Sequence, residues 1–274
     1  MKATKIAVLS GKGGTGKTFV SVNLANVIPN ATYIDCDIEA PNGAIFFKPT
    51  DVKSEVVNNL IPKFDNDKCV GCRKCVDFCQ FNALALINKK VKLFDNLCHS
   101  CQGCALVCDY DAISFVKKPV GTIDVGFAND KKIVSGMLNL GIISGNSIIE
   151  QAKTYSENWT IIDCPPGAGC EVMETIKDVD YCLIVVEPTL FSYHNYLLVK
   201  ELMTVMKKNY GILINKANEA DDIIFNDNVI SRLPYMNGIS RKLSNGIVVT
   251  DVDKKFHQDF DKLYQALAKE ISHE

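Results

Sequence analysis

Ile6-Ala-Val-Leu-Ser-Gly-Lys-Gly-Gly-Thr-Gly-Lys-Thr18 is the stretch from which the fold can be read. Ile6 to Leu9 form a short apolar run that suits a buried parallel strand. A glycine-rich turn follows at once, and then a helical pattern carrying Phe19, Val22, Leu24 and Val27. Gly11, Gly13, Gly14 and Gly16 let the backbone fold tightly on either side of Thr15. Successive N–H groups then point into one concavity, and the positive end of the next helix adds to its pull on phosphate. Gly11-x4-Gly16-Lys17-Thr18 has P-loop spacing, with the expected strand before and helix after. Lys17 is expected to reach the β- and γ-phosphates, and the Thr18 hydroxyl to take one position on Mg²⁺.

Around this site the 274 residues read as an ordinary globular chain with ample core, 47% apolar and 23% charged. A formal net charge of −2 gives nucleic acid no support as a principal partner. From Met1 the chain runs directly into the first strand, leaving no room for a signal peptide, and no apolar stretch is long enough to span a membrane. A cytoplasmic protein is expected. In that reducing compartment its 12 cysteines point to metal or catalysis rather than disulfides.

Eight of those cysteines stand in two identical registers, Cys69-x2-Cys72-x2-Cys75-x3-Cys79 and Cys98-x2-Cys101-x2-Cys104-x3-Cys108. The blocks end alike, in Phe81-Asn-Ala-Leu and Tyr110-Asp-Ala-Ile, so the segment is an internal repeat. Zinc sites pair two cysteines with two more across a longer loop, whereas three evenly spaced cysteines and a fourth favour iron–sulfur. The segment resembles a bacterial two-cluster [4Fe–4S] ferredoxin, although Gln80 and Asp109 stand where that family places proline. The resemblance implies that the fourth cysteine of each block serves the other cluster. Cys69, Cys72, Cys75 and Cys108 would hold one cluster, and Cys98, Cys101, Cys104 and Cys79 the second. With four thiolates in each set, His99 is expected to face solvent or donate a hydrogen bond.

The remaining sequence supplies a doubly wound sheet. Ala31-Thr-Tyr-Ile-Asp-Cys-Asp37 reads as a strand ending in two acids. Pro119 to Gly145 reads as short strands or a hairpin, and Ser147 to Asn158 as a helix. Trp159-Thr-Ile-Ile-Asp163 is an apolar strand closing on an acid. Tyr181 to Pro188 and Gly211 to Asn215 are further strands, separated by a helix through Tyr196, Val199, Leu202 and Met206. Asp251 to Ser272 is a final helix with Phe256, Phe260, Leu263, Leu267 and Ile271 on one stripe. Cys182 reads as a small buried hydrophobe, and His194 and His257 as surface or packing residues.

Together these motifs resemble the MinD/Mrp-type ATPases, with their deviant P-loop. A second lysine near the start of the loop, Lys12, carries the resemblance, as does Asp163-Cys-Pro-Pro-Gly167 at the position of switch II. The resemblance implies ATP sandwiched between two subunits, with Lys12 reaching across to the partner's nucleotide. It also implies that Asp37 orients the attacking water with support from Asp35, and that Asp163 binds Mg²⁺ through water. Gly167 would approach the γ-phosphate, Asn215 and Lys216 would bind adenine, and Arg232-Leu-Pro234-Tyr would form a loop covering the base. The expected architecture is an α/β ATPase over 1–63 and 118–274, with a small α+β ferredoxin-like insert at 64–117 after the second strand. Two ATP-bound subunits, as a homodimer or a paralogous heterodimer, would couple nucleotide state to electron transfer or to metallocluster carriage for a client or redox partner. A nucleotide-switched regulatory module with passive clusters is the alternative. Cys170 lies where the related nitrogenase iron protein has a cluster-bridging cysteine, which implies a role in holding or passing a cluster. MinD ends in a membrane-seeking helix. Here the final helix mixes Asp259, Asp261 and Glu270 with Lys255, Lys262 and Lys269, so it reads as a core cover and no membrane partner is expected.

Overall fold

A computed structural model of the chain describes residues 3–218, 221, 223 and 225–272. It opens with β1 (Thr4–Leu9), α1 (Lys17–Val27), β2 (Thr32–Asp35), α2 (Gly43–Phe47) and the long β3 (Thr50–Phe64). The cysteine-rich stretch holds α3 (Lys74–Phe78), β4 (Leu84–Ile87), β5 (Lys90–Leu93) and α4 (Gly103–Leu106). Next come β6 (Ile113–Ala128), β7 (Lys131–Leu138), α5 (Asn146–Lys153), β8 (Trp159–Asp163), α6 (Cys170–Ile176) and β9 (Tyr181–Val186). The chain ends with α7 (Leu190–Met206), β10 (Tyr210–Ala217), β11 (Val229–Pro234), α8 (Ile239–Ser244), α9 (Val249–Val252) and α10 (Lys254–Ser272).

Nine strands form one sheet in the order β11-β10-β9-β1-β8-β2-β7-β6-β3. β1 is parallel to both β8 and β9, and the parallel pairing continues through β10 to β11 on one side and β2 to β7 on the other. Only the two residues Asn129 and Asp130 separate the neighbours β6 and β7, a link short enough only for an antiparallel pair. Parallel strands send their carboxyl ends to one edge, and the strand order reverses about β1. That switch point is where open α/β sheets bind ligands.

Two compact units make up the chain. The first comprises Met1–Glu55, Ile123–Met137 and Ile148–Glu274. Its core sets Ile6 and Val8 of β1 against Val20 and Leu24 of α1. α10 covers that core as its apolar stripe predicts, burying Phe256, Phe260, Leu263 and Leu267, with the first two rings edge-on to Phe19 at 6.0 and 5.8 Å. The last helix is nevertheless two elements rather than one from Asp251. Asp253 is extended, and its Oδ1 accepts from the N–H groups of Lys255 and Phe256, which restarts the helix at Lys254. The helix expected to end at Asn158 stops at Lys153, and Arg232 to Pro234 are not a loop but the end of β11. An edge strand tolerates a terminal proline, which gives up no ladder bond there.

The second unit comprises Val56–Thr122 and Leu138–Ser147, a wider span than the segment 64–117, with α2 and the first residues of β3 between it and β2. β4 and β5 form a hairpin whose turn residues, Asn88 and Lys89, both have positive φ, 49° and 61°. The sequence repeat is also a repeat of backbone conformation. Gly71 and Ser100, Arg73 and Gln102, and Asn82 and Asp111 hold equivalent places in the two blocks, and all six are left-handed. Arg73 and Gln102 each open a short helix, α3 and α4.

Candidate functional site

Each acidic candidate stands at or beside the carboxyl end of a strand. Asp35 closes β2, Asp163 closes β8, and Glu187 follows β9 directly. The turn after β1 turns into α1 through Gly16, whose φ is +90°, and a Cβ there would lie 2.3 Å from the Asn215 amide nitrogen. Asn215 and Lys216, near the end of β10, hold the loop in that path. Asn215 Nδ2 donates to the Thr15 carbonyl and Lys216 Nζ to that of Gly14, each at 2.8 Å.

Lys17 is buried, with its ammonium 2.7 Å from Asp163 Oδ1 and 3.9 Å from Asp37 Oδ2. Burial opposes the charge on Lys17, but Asp163 and Asp37 outweigh it and hold the pKa above the usual lysine value. The Tyr33 hydroxyl donates to Asp163 Oδ2 at 3.2 Å. Asp35 serves a different purpose. Its Oδ1 accepts from the N–H of Asp37 at 3.1 Å, and its Oδ2 from those of Asn42 and Gly43 at 3.0 and 2.9 Å. It therefore shapes the loop that presents Asp37. Burial, and then the nearby Asp163 charge, push Asp35 up to about 7. Gly167 has φ +92° and donates its N–H to the Ser10 carbonyl at 2.9 Å, tying the turn after β8 to the loop after β1.

These groups border a cleft of about 520 Å³. Lys12, Gly13, Gly14, Gly16, Lys17, Thr18 and Asp37 line one part of it, and Ile45, Phe46 and Leu243 give it an apolar wall. Gly11 is packed tightly, since a Cβ there would fall 2.4 Å from the Asn195 carbonyl oxygen. Asn215, Lys216 and Pro234 are not among the lining residues. Lys12 leans away from the loop, its Nζ 3.0 Å from Glu187 Oε2 and 5.0 Å above the Phe191 ring. The Glu187-Pro-Thr sequence after β9 resembles that of the MinD/Mrp-type ATPases, but the motifs gave Glu187 itself no role. The rule that nominated Asp35 and Asp163, an acid at the carboxyl edge of a central parallel strand, points to it as well.

In the second unit the eight repeat cysteines form no disulfide and sort into two small cavities. Cys69, Cys72, Cys75 and Cys108 line one of about 20 Å³. Cys79, Cys98, Cys101 and Cys104 line the other, of about 60 Å³. Among the described residues no three His, Cys, Asp or Glu side chains converge on a single ion. Burial raises the Cys75 and Cys98 thiols and takes Cys104 to about 11. His99 stacks on Phe81 beside the second cavity, centroids 3.8 Å apart. Of the other cysteines, Cys36, Cys164 and Cys182 are buried, with Cys182 raised by burial to about 12, whereas Cys170 is exposed at the start of α6. His194 is exposed, and His257 sets Nδ1 3.1 Å from the Thr250 carbonyl.

Residues 6–271 match the CobQ/CobB/MinD/ParA nucleotide binding domain. An uncharacterized protein of Methanocaldococcus jannaschii is 36% identical over 275 residues, covering 97% of both chains. The iron-sulfur cluster carrier protein of Pyrococcus abyssi is 26% identical over 193 residues, which are 67% of this chain and 51% of that one. Among solved structures, the cell division ATPase MinD of Pyrococcus furiosus aligns with a TM-score of 0.60 at 16% identity, over 98% of this chain and 99% of its own. The septum site-determining protein MinD of Pyrococcus horikoshii, complexed with Mg-ADP, aligns at 0.58 and 17%, over 97% and 96%. Those two likenesses concern the fold. Among the described residues no helix is long and apolar enough to cross a membrane.

Proposed function

The chain belongs to the CobQ/CobB/MinD/ParA family of nucleotide-binding domains and is a P-loop ATPase of that family, and we propose that its nucleotide state governs two [4Fe–4S] clusters held in the second unit. The observation that carries the iron–sulfur reading is the sorting of cysteines between cavities. Each cavity takes three thiols from one repeat and the fourth from the other, the exchange a two-cluster ferredoxin uses. Four thiols lining one cavity match a cubane, in which each thiolate meets a different iron. Bound there, the clusters would supply one-electron chemistry.

The first unit fits a nucleoside triphosphate. Its loop bends through a glycine that tolerates no Cβ, and the buried Thr15 hydroxyl has no hydrogen-bond partner among the described residues. ATP entry would exchange Asp163 for phosphate as the partner of Lys17, leaving Asp163, through water, and the Thr18 hydroxyl to hold Mg²⁺. Mg²⁺ would neutralise charge on the phosphates. Asp37 orients the water that attacks the γ-phosphate, yielding ADP and phosphate, and Lys12 steadies the developing charge from a second subunit. The family resemblance assigns Asn215, Lys216 and Pro234 to the adenine side, although none of the three lines the cleft. The partner copy is the same chain or a paralogue.

Resident clusters with complete thiolate sets favour electron donation to a redox partner. The likeness to an iron–sulfur cluster carrier favours delivery to a client, and the exposed Cys170 is the thiol for a cluster in transit. Clusters of this kind, held by cysteines that form no disulfide, suit a reducing cytoplasm. A ligand swap tests the assignment. In anaerobically reconstituted protein, Cys79→Ser should alter the EPR signal that Cys101→Ser alters and spare the one changed by Cys72→Ser. Grouping of Cys79 with Cys72 would overturn the cross-repeat ligation.

A further inference from the structure

Glu187 is placed to do more than fill a corner of the fold. Its residue is 9% exposed, and its two oxygens are divided between two lysines. Oε2 meets Lys12 Nζ at 3.0 Å, and Oε1 meets Lys216 Nζ at 2.5 Å. Lys216 also donates to the Gly14 carbonyl, so one carboxylate is bonded to the loop at Lys12 and linked through Lys216 to its crown. The backbone holds it there, because the Glu187 N–H donates to Ser192 Oγ in the first turn of α7, whose N-cap is Thr189. The Phe191 ring under Lys12 completes a seat for that one ammonium.

We propose that Glu187 is a positioning residue that stores Lys12 within its own subunit and thereby sets the nucleotide concentration at which two copies close on ATP. The inference rests on the reading in which Lys12 acts across a dimer. A lysine engaged at home must give up that contact before it reaches another subunit's phosphate, and the population able to close falls by the strength of the contact. Two lysines on one acid suit a hand-over. When Lys12 leaves, Lys216 still neutralises Glu187, so no bare carboxylate is left facing the incoming phosphates. Burial acts against the Glu187 charge, yet Lys216 and Lys12 together hold its pKa below the ordinary glutamate value, in keeping with a pair that is engaged.

The test is the dimerisation of full-length, cluster-loaded protein, followed by sedimentation against a non-hydrolysable ATP analogue with Mg²⁺. Glu187→Gln keeps the shape and removes the charge. It should lower the analogue concentration for half-dimerisation about tenfold, the size of one charge-assisted, half-buried contact. Phe191→Leu, at a position 65% exposed where folding is insensitive, should move the midpoint the same way by about threefold. Glu187→Asp, which keeps the charge, should restore most of the wild-type midpoint. Placed on Lys12→Ala, Glu187→Gln should change nothing more. An unmoved midpoint in Glu187→Gln overturns the proposal, as does a gain that persists without Lys12. If Lys12→Ala dimerises normally, the trans role itself fails. If Lys12→Ala is defective while Glu187→Gln is silent, only the storage role fails.

Discussion

A buried ammonium persists only where its charge is matched, and Lys17 meets that condition with Asp163 and Asp37 while ATP is absent. Lys17→Ala should therefore cause two losses. Nucleotide binding should fall at least about 100-fold by isothermal titration, a bound set by removing a charge-assisted phosphate contact. The nucleotide-free fold should also lose about 3 kcal/mol in urea, because Asp163 is left buried and unpaired. Lys12→Ala should keep binding and lose hydrolysis; equal loss of binding in both variants would contradict the trans role. Asp35 gives a pH signature. Its carboxyl is pushed up to about 7 in the folded chain, against about 4 when unfolded. Between those values the folded state holds a proton that the unfolded state has shed, so stability falls as pH rises through the window. The slope from this one group reaches about 1.4 kcal/mol per pH unit. Asp35→Asn should flatten that slope between pH 4.5 and 7 in urea titrations, and an unchanged slope would show that Asp35 carries no raised pKa.

Elements place these residues by a simple rule, the carboxyl ends of parallel strands, and that rule made much of the site legible. β1, β2, β8, β9 and β10 announced themselves as apolar runs, and the P-loop spacing located the turn after β1. The residues the sequence left unassigned fail for physical reasons. β3 is polar and mostly exposed, so it carries no apolar run, and its strand character comes from pairing along the sheet edge. Glu187 belongs to no phosphate-binding motif, and its importance lies in two lysines brought from other parts of the chain. α10 shows the opposite case, a stripe that was readable because burial alone sets it. Phe260→Ala, which removes a fully buried ring set against Phe19, should cost about 3–5 kcal/mol in urea without changing the affinity of the remaining folded protein for nucleotide. Loss below about 1 kcal/mol would mean that α10 is not part of the core.

The whole molecule combines a P-loop ATPase unit with a unit whose eight cysteines divide between two cavities. The register of those cysteines was plain in the sequence, and so was their duplication. The matched left-handed positions, from Gly71 and Ser100 to Asn82 and Asp111, were not, because only one of the six is a glycine. Coupling between nucleotide state and the clusters is tested most directly by anaerobic EPR of the dithionite-reduced protein, with iron and acid-labile sulfide counted, before and after Mg-ATP. The expected result is about eight irons per chain, as two [4Fe–4S] clusters require, and a spectrum or midpoint potential that moves when Mg-ATP is added. No iron after careful reconstitution would contradict the cluster reading, and a full complement that ignores Mg-ATP would contradict the coupling.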